Sequence, residues 1–258
     1  MQKFTHKSIH LHYQILGEGK PLLFLHGFLE DHSIWNSIYP FFIEKKFQII
    51  LIDLPCHGLS RFLGETCSMT EMAIALDNLL VEKSIKNPTV FGHSMGGYVG
   101  LELMRLREIN LTLVHSNFWE DSDVKKKDRN RVIEVVKKNK NLFLSESIPN
   151  LFAAENRKKC DLIINELITK SIAIPANEIS AATAGMRERK SAYDLMNQYK
   201  ISIIQGASDS VIPIKLLVSE CKKLKQTPTI YIIENCGHMS IWEQPYSLIN
   251  HLLSAIIK

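Results

Sequence analysis

Gly92-His93-Ser94-Met95-Gly96-Gly97 sets a serine among glycines, after an apolar run and before a helical pattern. A serine on a sharp strand-to-helix turn holds its hydroxyl clear of a sheet, and small neighbours give that turn room. The helix start also favours negative charge developing there. Such a serine attacks a carbonyl carbon when a base takes its proton and an acid orients the base. Asp209 ends Gly206-Ala-Ser-Asp, and His238 ends Cys236-Gly-His. Each follows an apolar run, and the order serine, acid, histidine suits this kind of turn. Ser94 is therefore assigned as nucleophile, His238 as general base and acid, and Asp209 as the orienting carboxylate.

The negative oxygen formed on attack needs two backbone N–H groups. One is assigned to Met95, directly after the nucleophile. The other is assigned to Phe28 in His26-Gly27-Phe28-Leu29, where Gly27 lets the backbone come close. Asp121 and Asp123 are rival acids. His26, His57 and His93 flank turns and are read as structural. Phe28, Trp119, Met95 and Met239 lie nearest these motifs and are the first choices to line a substrate pocket. Phe143, Phe152 and Met186 fit core packing better.

These residues need a scaffold. Short apolar runs occur at Leu22 to Leu25, Gln48 to Ile52, Thr89 to Phe91, Leu111 to Val114, Ile201 to Gln205 and Thr229 to Ile233. Runs bounded by Gly, Pro or Asp are the signature of buried parallel strands. A seventh segment, Ser8 to Gln14, alternates like a half-buried strand. Helical patterns cover Ser33 to Ile43, Thr70 to Ser84, Met95 to Arg107, Ile214 to Leu224 and Tyr246 to Ile257. Alternating strands and helices predict an α/β fold with a mostly parallel sheet and helices on both faces. The alternation stops between Phe118 and Tyr199, a polar, helical stretch. The expected organisation is a core of residues 1–117, a helical lid of 118–199, and a second core part of 200–258.

The 258 residues are 45% hydrophobic and 22% charged, which excludes a disordered chain. The net charge of +4 is too mild to argue for nucleic acid. Five cysteines form no metal-binding spacing and suit a reducing compartment. No apolar run reaches the roughly 20 residues of a membrane span. A soluble, cytoplasmic protein is expected.

The chain resembles the α/β-hydrolase superfamily, in its lidded serine-esterase branch. The resemblance lies in His26-Gly27-Phe28, Asp53-Leu-Pro-Cys-His-Gly-Leu-Ser60, Gly92 to Gly97, Asp209 and Gly237-His238. The motifs span the core from end to end, and the lid carries none. Cys56 departs from the pattern, since relatives usually have Gly there. The resemblance implies a hydrolase of carboxylic esters or thioesters acting through an acyl-enzyme, with no metal or organic cofactor. It leaves open carbon–carbon bond hydrolases of meta-cleavage products, the menaquinone-pathway synthase, and a non-catalytic small-ligand receptor. An aspartate nucleophile, as in dehalogenases and epoxide hydrolases, is disfavoured by Ser94.

Lys125 to Lys140 holds eight basic and two acidic residues. An apolar stripe of Val132, Ile133, Val135 and Val136 runs beside them. A basic amphipathic lid helix could steer an acidic acyl carrier protein or a coenzyme A thioester, and similar proteins include pimeloyl-carrier-protein methyl ester esterases. Arg187 and Arg189 are candidates for a substrate carboxylate.

Overall fold

Leu22, Leu23, Phe24 and Leu25 are all buried, and so are Ile49 to Ile52. Neighbours on a strand point to opposite faces, so such runs must be covered on both sides. The computed structural model describes residues 1–7 and 9–256 and shows how. The strands are β1 (Gln2–His6), β2 (Ile9–Leu16), β3 (Lys20–Leu25), β4 (Phe47–Asp53), β5 (Arg61–Phe62), β6 (Thr89–His93), β7 (Asn110–Val114), β8 (Ser202–Gly206) and β9 (Ile230–Ile233). The helices are α1 (Tyr39–Glu44), α2 (Met69–Glu82), α3 (Met95–Leu106), α4 (Asp123–Ser147), α5 (Asp161–Ile172), α6 (Ala176–Glu188), α7 (Tyr193–Gln198), α8 (Ile214–Cys221), α9 (Ser240–Glu243) and α10 (Pro245–Ile256).

The sheet runs β1-β2-β4-β3-β6-β7-β8-β9, with β5 paired to β2. From β4 to β9 every pairing is parallel, while β1, β2 and β5 join antiparallel. Leu23, Leu25, Ile50 and Ile52 face α2 and α3. Leu22, Phe24, Ile49 and Leu51 pack with Phe42 of α1 and Leu248 and Leu252 of α10. The sheet is thus a filled layer between two layers of helices.

β4 lies on one side of β3 and β6 on the other. The loop after β3 and the turn after β6 therefore lie side by side, at the switch point where open α/β sheets bind ligands. Asp209 follows β8 and His238 follows β9, at the same end of the sheet.

The expected strands appear within a residue or two. Ser8, at the start of the alternating segment, lies outside the described residues, as does Ile257 at the end of the last helix. β1 and β5 are not foreseen, because they are polar edge pieces held by pairing with β2. The single helix expected over Ser33 to Ile43 is two. A 3-10 turn at His32–Trp35 is capped by Asp31, and α1 begins anew with Pro40 in its first turn. Proline lacks the N–H a helix interior needs but is preset for a helix start.

Between β7 and β8 the chain is helical. α4 bends at Asn139, whose φ of −152° and ψ of 73° leave the helical region. Asn139 Oδ1 accepts from Leu142 N at 3.2 Å, capping the second half of the helix. Val136, Leu144, Ile148, Phe152, Ile164 and Leu167 form a small core within this segment.

Candidate active site

Ser94 joins β6 to α3 at φ 48° and ψ −116°, a conformation that costs a non-glycine residue about 1–3 kcal/mol. The surroundings hold it there. Ser94 N donates to Val114 O at 2.9 Å, and its carbonyl accepts from Gly97 N at 2.9 Å and Ser116 Oγ at 2.7 Å. A side chain at Gly92 would strike the backbone of Gly96 and Gly97, and one at Gly96 would strike His26 O. The glycines let α3 lie against β6 and the β3 loop.

His238 Nδ1 lies 2.8 Å from Asp209 Oδ2. An ionised carboxylate only accepts, so this nitrogen carries the proton and Nε2 is left with a lone pair. Asp209 Oδ2 also accepts from Gln205 Nε2 at 2.9 Å. Its Oδ1 takes Val211 N at 2.9 Å and Ile212 N at 3.0 Å. Burial alone would push the Asp209 carboxyl up, but the histidines beside it outweigh that and hold it well below the usual carboxylate range. His238 and Ser94 both line a cavity of about 230 Å³.

Neither Phe28 N–H nor Met95 N–H donates a hydrogen bond within the protein among the described residues. Met95 opens α3, where no intrahelical acceptor exists. The Phe28 loop is shaped by Gly27 N, which donates to Glu30 Oε2 at 2.5 Å. A Cβ at Gly27 would lie 3.1 Å from Ser94 Cβ, so this loop touches the serine turn.

A family model described as alpha/beta hydrolase fold matches residues 20–108. The structure superposes on a thermophilic esterase from Thermogutta terrifontis with a TM-score of 0.90, at 24% identity, over 100% of this chain and 98% of that one. This chain has the α/β-hydrolase fold. An esterase from Exiguobacterium antarcticum is similar at a TM-score of 0.85 and 18% identity, over 97% of this chain and 96% of that one. By sequence, the chain is 22% identical over 220 residues to a putative esterase/lipase of Mycoplasma genitalium, 84% of this chain and 81% of that protein. The resemblance read from the motifs, to an esterase-like α/β hydrolase, is met by these comparisons.

The α/β-hydrolase core gives the remaining motif residues places of their own. Asp53 Oδ1 lies 2.6 Å from His32 Nδ1, and Oδ2 accepts from Leu59 N at 2.9 Å. Burial opposes its charge, yet the His32 bond draws the carboxyl down to about 2. Cys56 stands at φ 70°, where glycine would sit without strain. His26 Nε2 accepts from Leu54 N at 2.9 Å, tying the β3 loop to the β4 loop. Asp121 and Asp123 stay away from His238: Asp121 pairs with Arg129 and Arg189, and Asp123 opens α4, exposed.

The pocket choices fare unevenly. Phe28 lines the cavity at Ser94. Met95 keeps its side chain in the core, and Met239 is buried in the cluster with Leu144 and Phe152, so neither side chain lines it. Trp119 lines a neighbouring, charged cavity of about 700 Å³. Phe143 and Met186, which the sequence favours for core packing, do line the cavity at Ser94. Arg187 bonds Glu188 and Asn130 on the surface.

Three buried polar residues, Glu30, Glu243 and His115, escape the motif reading, and the first of them pairs with His93 of the serine motif. His93 Nδ1 lies 3.0 Å from Glu30 Oε2, and Nε2 lies 3.0 Å from His238 O. Both ring nitrogens face acceptors, so His93 is held as a cation. Burial disfavours charge on both partners, but pairing wins, raising His93 and lowering Glu30. Glu243, fully inside, accepts from Gly237 N at 3.0 Å, Met239 N at 3.1 Å and Ala153 N at 2.9 Å. It thereby fixes the loop carrying His238. His115 is the third: its Nδ1 lies 3.1 Å from Asp209 Oδ2 and its Nε2 lies 2.8 Å from Ser240 Oγ.

The donor atoms of His115, Asp209 and His238 lie within 4.8 Å of one another, a spacing an ion could use. The hydrogen bonds above already employ the nitrogens that face Asp209. No helix among the described residues is long and apolar enough to cross a membrane.

Proposed function

We propose that this α/β-hydrolase-fold protein hydrolyses carboxylic esters through Ser94, His238 and Asp209. The observation that carries the reading is the 2.8 Å contact between His238 Nδ1 and Asp209 Oδ2, at a histidine that shares one cavity with a strained Ser94.

Ser94 Oγ attacks the ester carbonyl while His238 Nε2 takes its proton. Asp209 holds the ring in the tautomer that leaves Nε2 free and stabilises the imidazolium. The unused N–H groups of Phe28 and Met95 receive the oxyanion. A pair of preorganised donors in a buried site contributes heavily, and loss of one typically costs about a hundred- to a thousandfold in rate. His238 then protonates the departing alcohol. Water, activated by the same nitrogen, attacks the acyl-enzyme and restores Ser94. Water is the co-reactant, and these side chains and amides carry the proton transfers and the developing charge.

Hydrolysis of p-nitrophenyl esters from acetate to long chain tests the proposal, with Ser94→Ala as control. Turnover that disappears in the variant, together with fluorophosphonate labelling of Ser94 in the parent, supports it. A folded protein that neither turns over esters nor takes the label returns the site to a binding role.

A further inference from the structure

The cavity at Ser94 is apolar over most of its wall, with Phe28, Val132, Phe143, Ile148 and Met186 among its lining residues. Its free charge sits on one side. Lys125 and Arg129, four residues apart on α4, line it there. The same two residues, with Tyr98 and Val211, also line the charged cavity next to it. They form the partition between the two spaces.

Their bonding leaves positive charge without a counterpart. Asp121 is the acid that serves this partition, and it serves two guanidinium groups: Oδ2 lies 3.1 Å from Arg129 Nε and Oδ1 lies 2.7 Å from Arg189 Nη1. Among the described residues, the terminal nitrogens of Arg129 and the ammonium of Lys125 bond to nothing within the protein. Arg189 has a side chain only 6% exposed, and its Nε is buried without an acceptor. Lys125 also sits in the first turn of α4, where the helix dipole opposes a cation. Although the residue as a whole is exposed, desolvation of its amine and Arg129 beside it draw the ammonium below the usual lysine value, against the opposing pull of Asp121 and Asp128.

The remaining charges near Ser94 are already matched. Glu30 is held by His93 and Gly27 N, and Asp209 by His238 and His115. Glu220, on the far wall of the charged cavity, is taken by Tyr193 and Lys223. Glu120 and Asp123 line the outer cavity and not the one at Ser94.

We infer that the cavity takes esters whose acyl chain ends in a carboxylate, the monoesters of short dicarboxylic acids. The ester carbonyl lies at Ser94 and the far carboxylate on Lys125 and Arg129. The inference rests on the esterase reading above. Hydrolysis breaks the acyl–oxygen bond, and water supplies the hydroxyl of the new carboxylate and the proton of the alcohol. The product is a dicarboxylate.

The test compares kcat/KM for monomethyl succinate, glutarate and adipate with that for neutral methyl esters of equal chain length. The parent should prefer the charged esters by roughly tenfold, the usual worth of one charge-assisted hydrogen bond. Lys125→Met breaks no bond of the fold and should erase most of that preference, chiefly through KM. Arg129→Gln should act in the same direction, and high salt should weaken the preference in the parent. Lys127→Met, on the same helix but lining neither cavity, should leave the preference in place. Neutral esters preferred by the parent, or a preference untouched by Lys125→Met, would overturn the inference while leaving the esterase intact.

Calorimetry with glutarate on Ser94→Ala reads the anion site without turnover. Binding that Lys125→Met weakens supports it even if no ester is hydrolysed, and absence of binding counts against it.

Discussion

His115 and His238 share one oxygen: the Nδ1 of each ring lies within 3.1 Å of Asp209 Oδ2. Only His238 also lines the cavity at Ser94. His115 is enclosed, and its Nε2 meets the Ser240 hydroxyl. Burial pulls its ring down to about 4 despite the Asp209 bond. His238 is thus open to the cavity that holds Ser94, while His115, kept neutral, is enclosed beside the same carboxylate.

The neutral state of His115 has a consequence for stability. In the unfolded chain the ring protonates below pH 6.5, while in the fold it resists until about 4. The unfolded state therefore binds more protons in that interval, and stability falls as pH drops through it. A shift of this size corresponds to ~3 kcal/mol at most. His57, lowered to about 3 by burial and the neighbouring His26, acts in the same direction. Urea unfolding between pH 7 and pH 4 should show the loss, and His115→Gln, which keeps a donor for Asp209 but cannot titrate, should flatten the slope. An unchanged slope in the variant would assign the pH dependence to other groups.

Asp209→Asn should lower kcat by roughly ten-thousandfold with little change in KM. An amide in that place no longer enforces the tautomer that frees His238 Nε2. The fold should survive, since Oδ1 can still accept from Val211 N and Ile212 N. Steady-state kinetics on one good ester decides the matter. Near-normal activity would show that Asp209 is not the orienting acid.

Ser94, Asp209 and His238 are legible in the chain because each follows a short apolar strand and sits beside glycine or another small residue. Strand ends in an open parallel sheet converge, so local pattern becomes spatial position. Glu30 and Glu243 carry no such mark, and His115, which follows the apolar run Leu111 to Val114 and precedes Ser116, belongs to no glycine motif. They act through contacts between residues far apart in sequence, such as Glu30 with His93, and a buried polar side chain looks like a surface one until its neighbours are known. The cavity wall is hidden for a related reason. Phe143 on α4 and Met186 on α6 line the cavity together, where α4 bends at Asn139 and packs on α6. Polar β1 is set by its partner strand and not by its own composition.

Glu243→Gln should destabilise the protein by about 2 kcal/mol and lower kcat as well. Glu243 accepts amides from both sides of the His238 loop and from Ala153 in the helical segment between β7 and β8. The glutamine would turn an NH2 group toward those donors, leaving at least one buried N–H without an acceptor. Urea denaturation measures the first effect and ester turnover the second. A stable variant with a full loss of turnover would mean that Glu243 does more than hold the loop.

Phe143→Ala should lengthen the preferred acyl chain. Phe143 lines the cavity at Ser94 and packs against the cluster of Val136, Leu144 and Ile148, so its removal opens space at the cavity wall and not at the serine. Each methylene of substrate that fills the new space returns about 0.8 kcal/mol, close to fourfold in kcat/KM. Short esters lose the contact with the ring and should fall several-fold. The cost in stability should be about 2 kcal/mol, below that of a fully buried aromatic, because Phe143 is only half-buried. A p-nitrophenyl ester series from acetate to decanoate, run on both proteins, reads the shift directly. If the optimum stays where it was, the acyl chain does not occupy the space beside Phe143, and the pocket lies toward Trp119 instead.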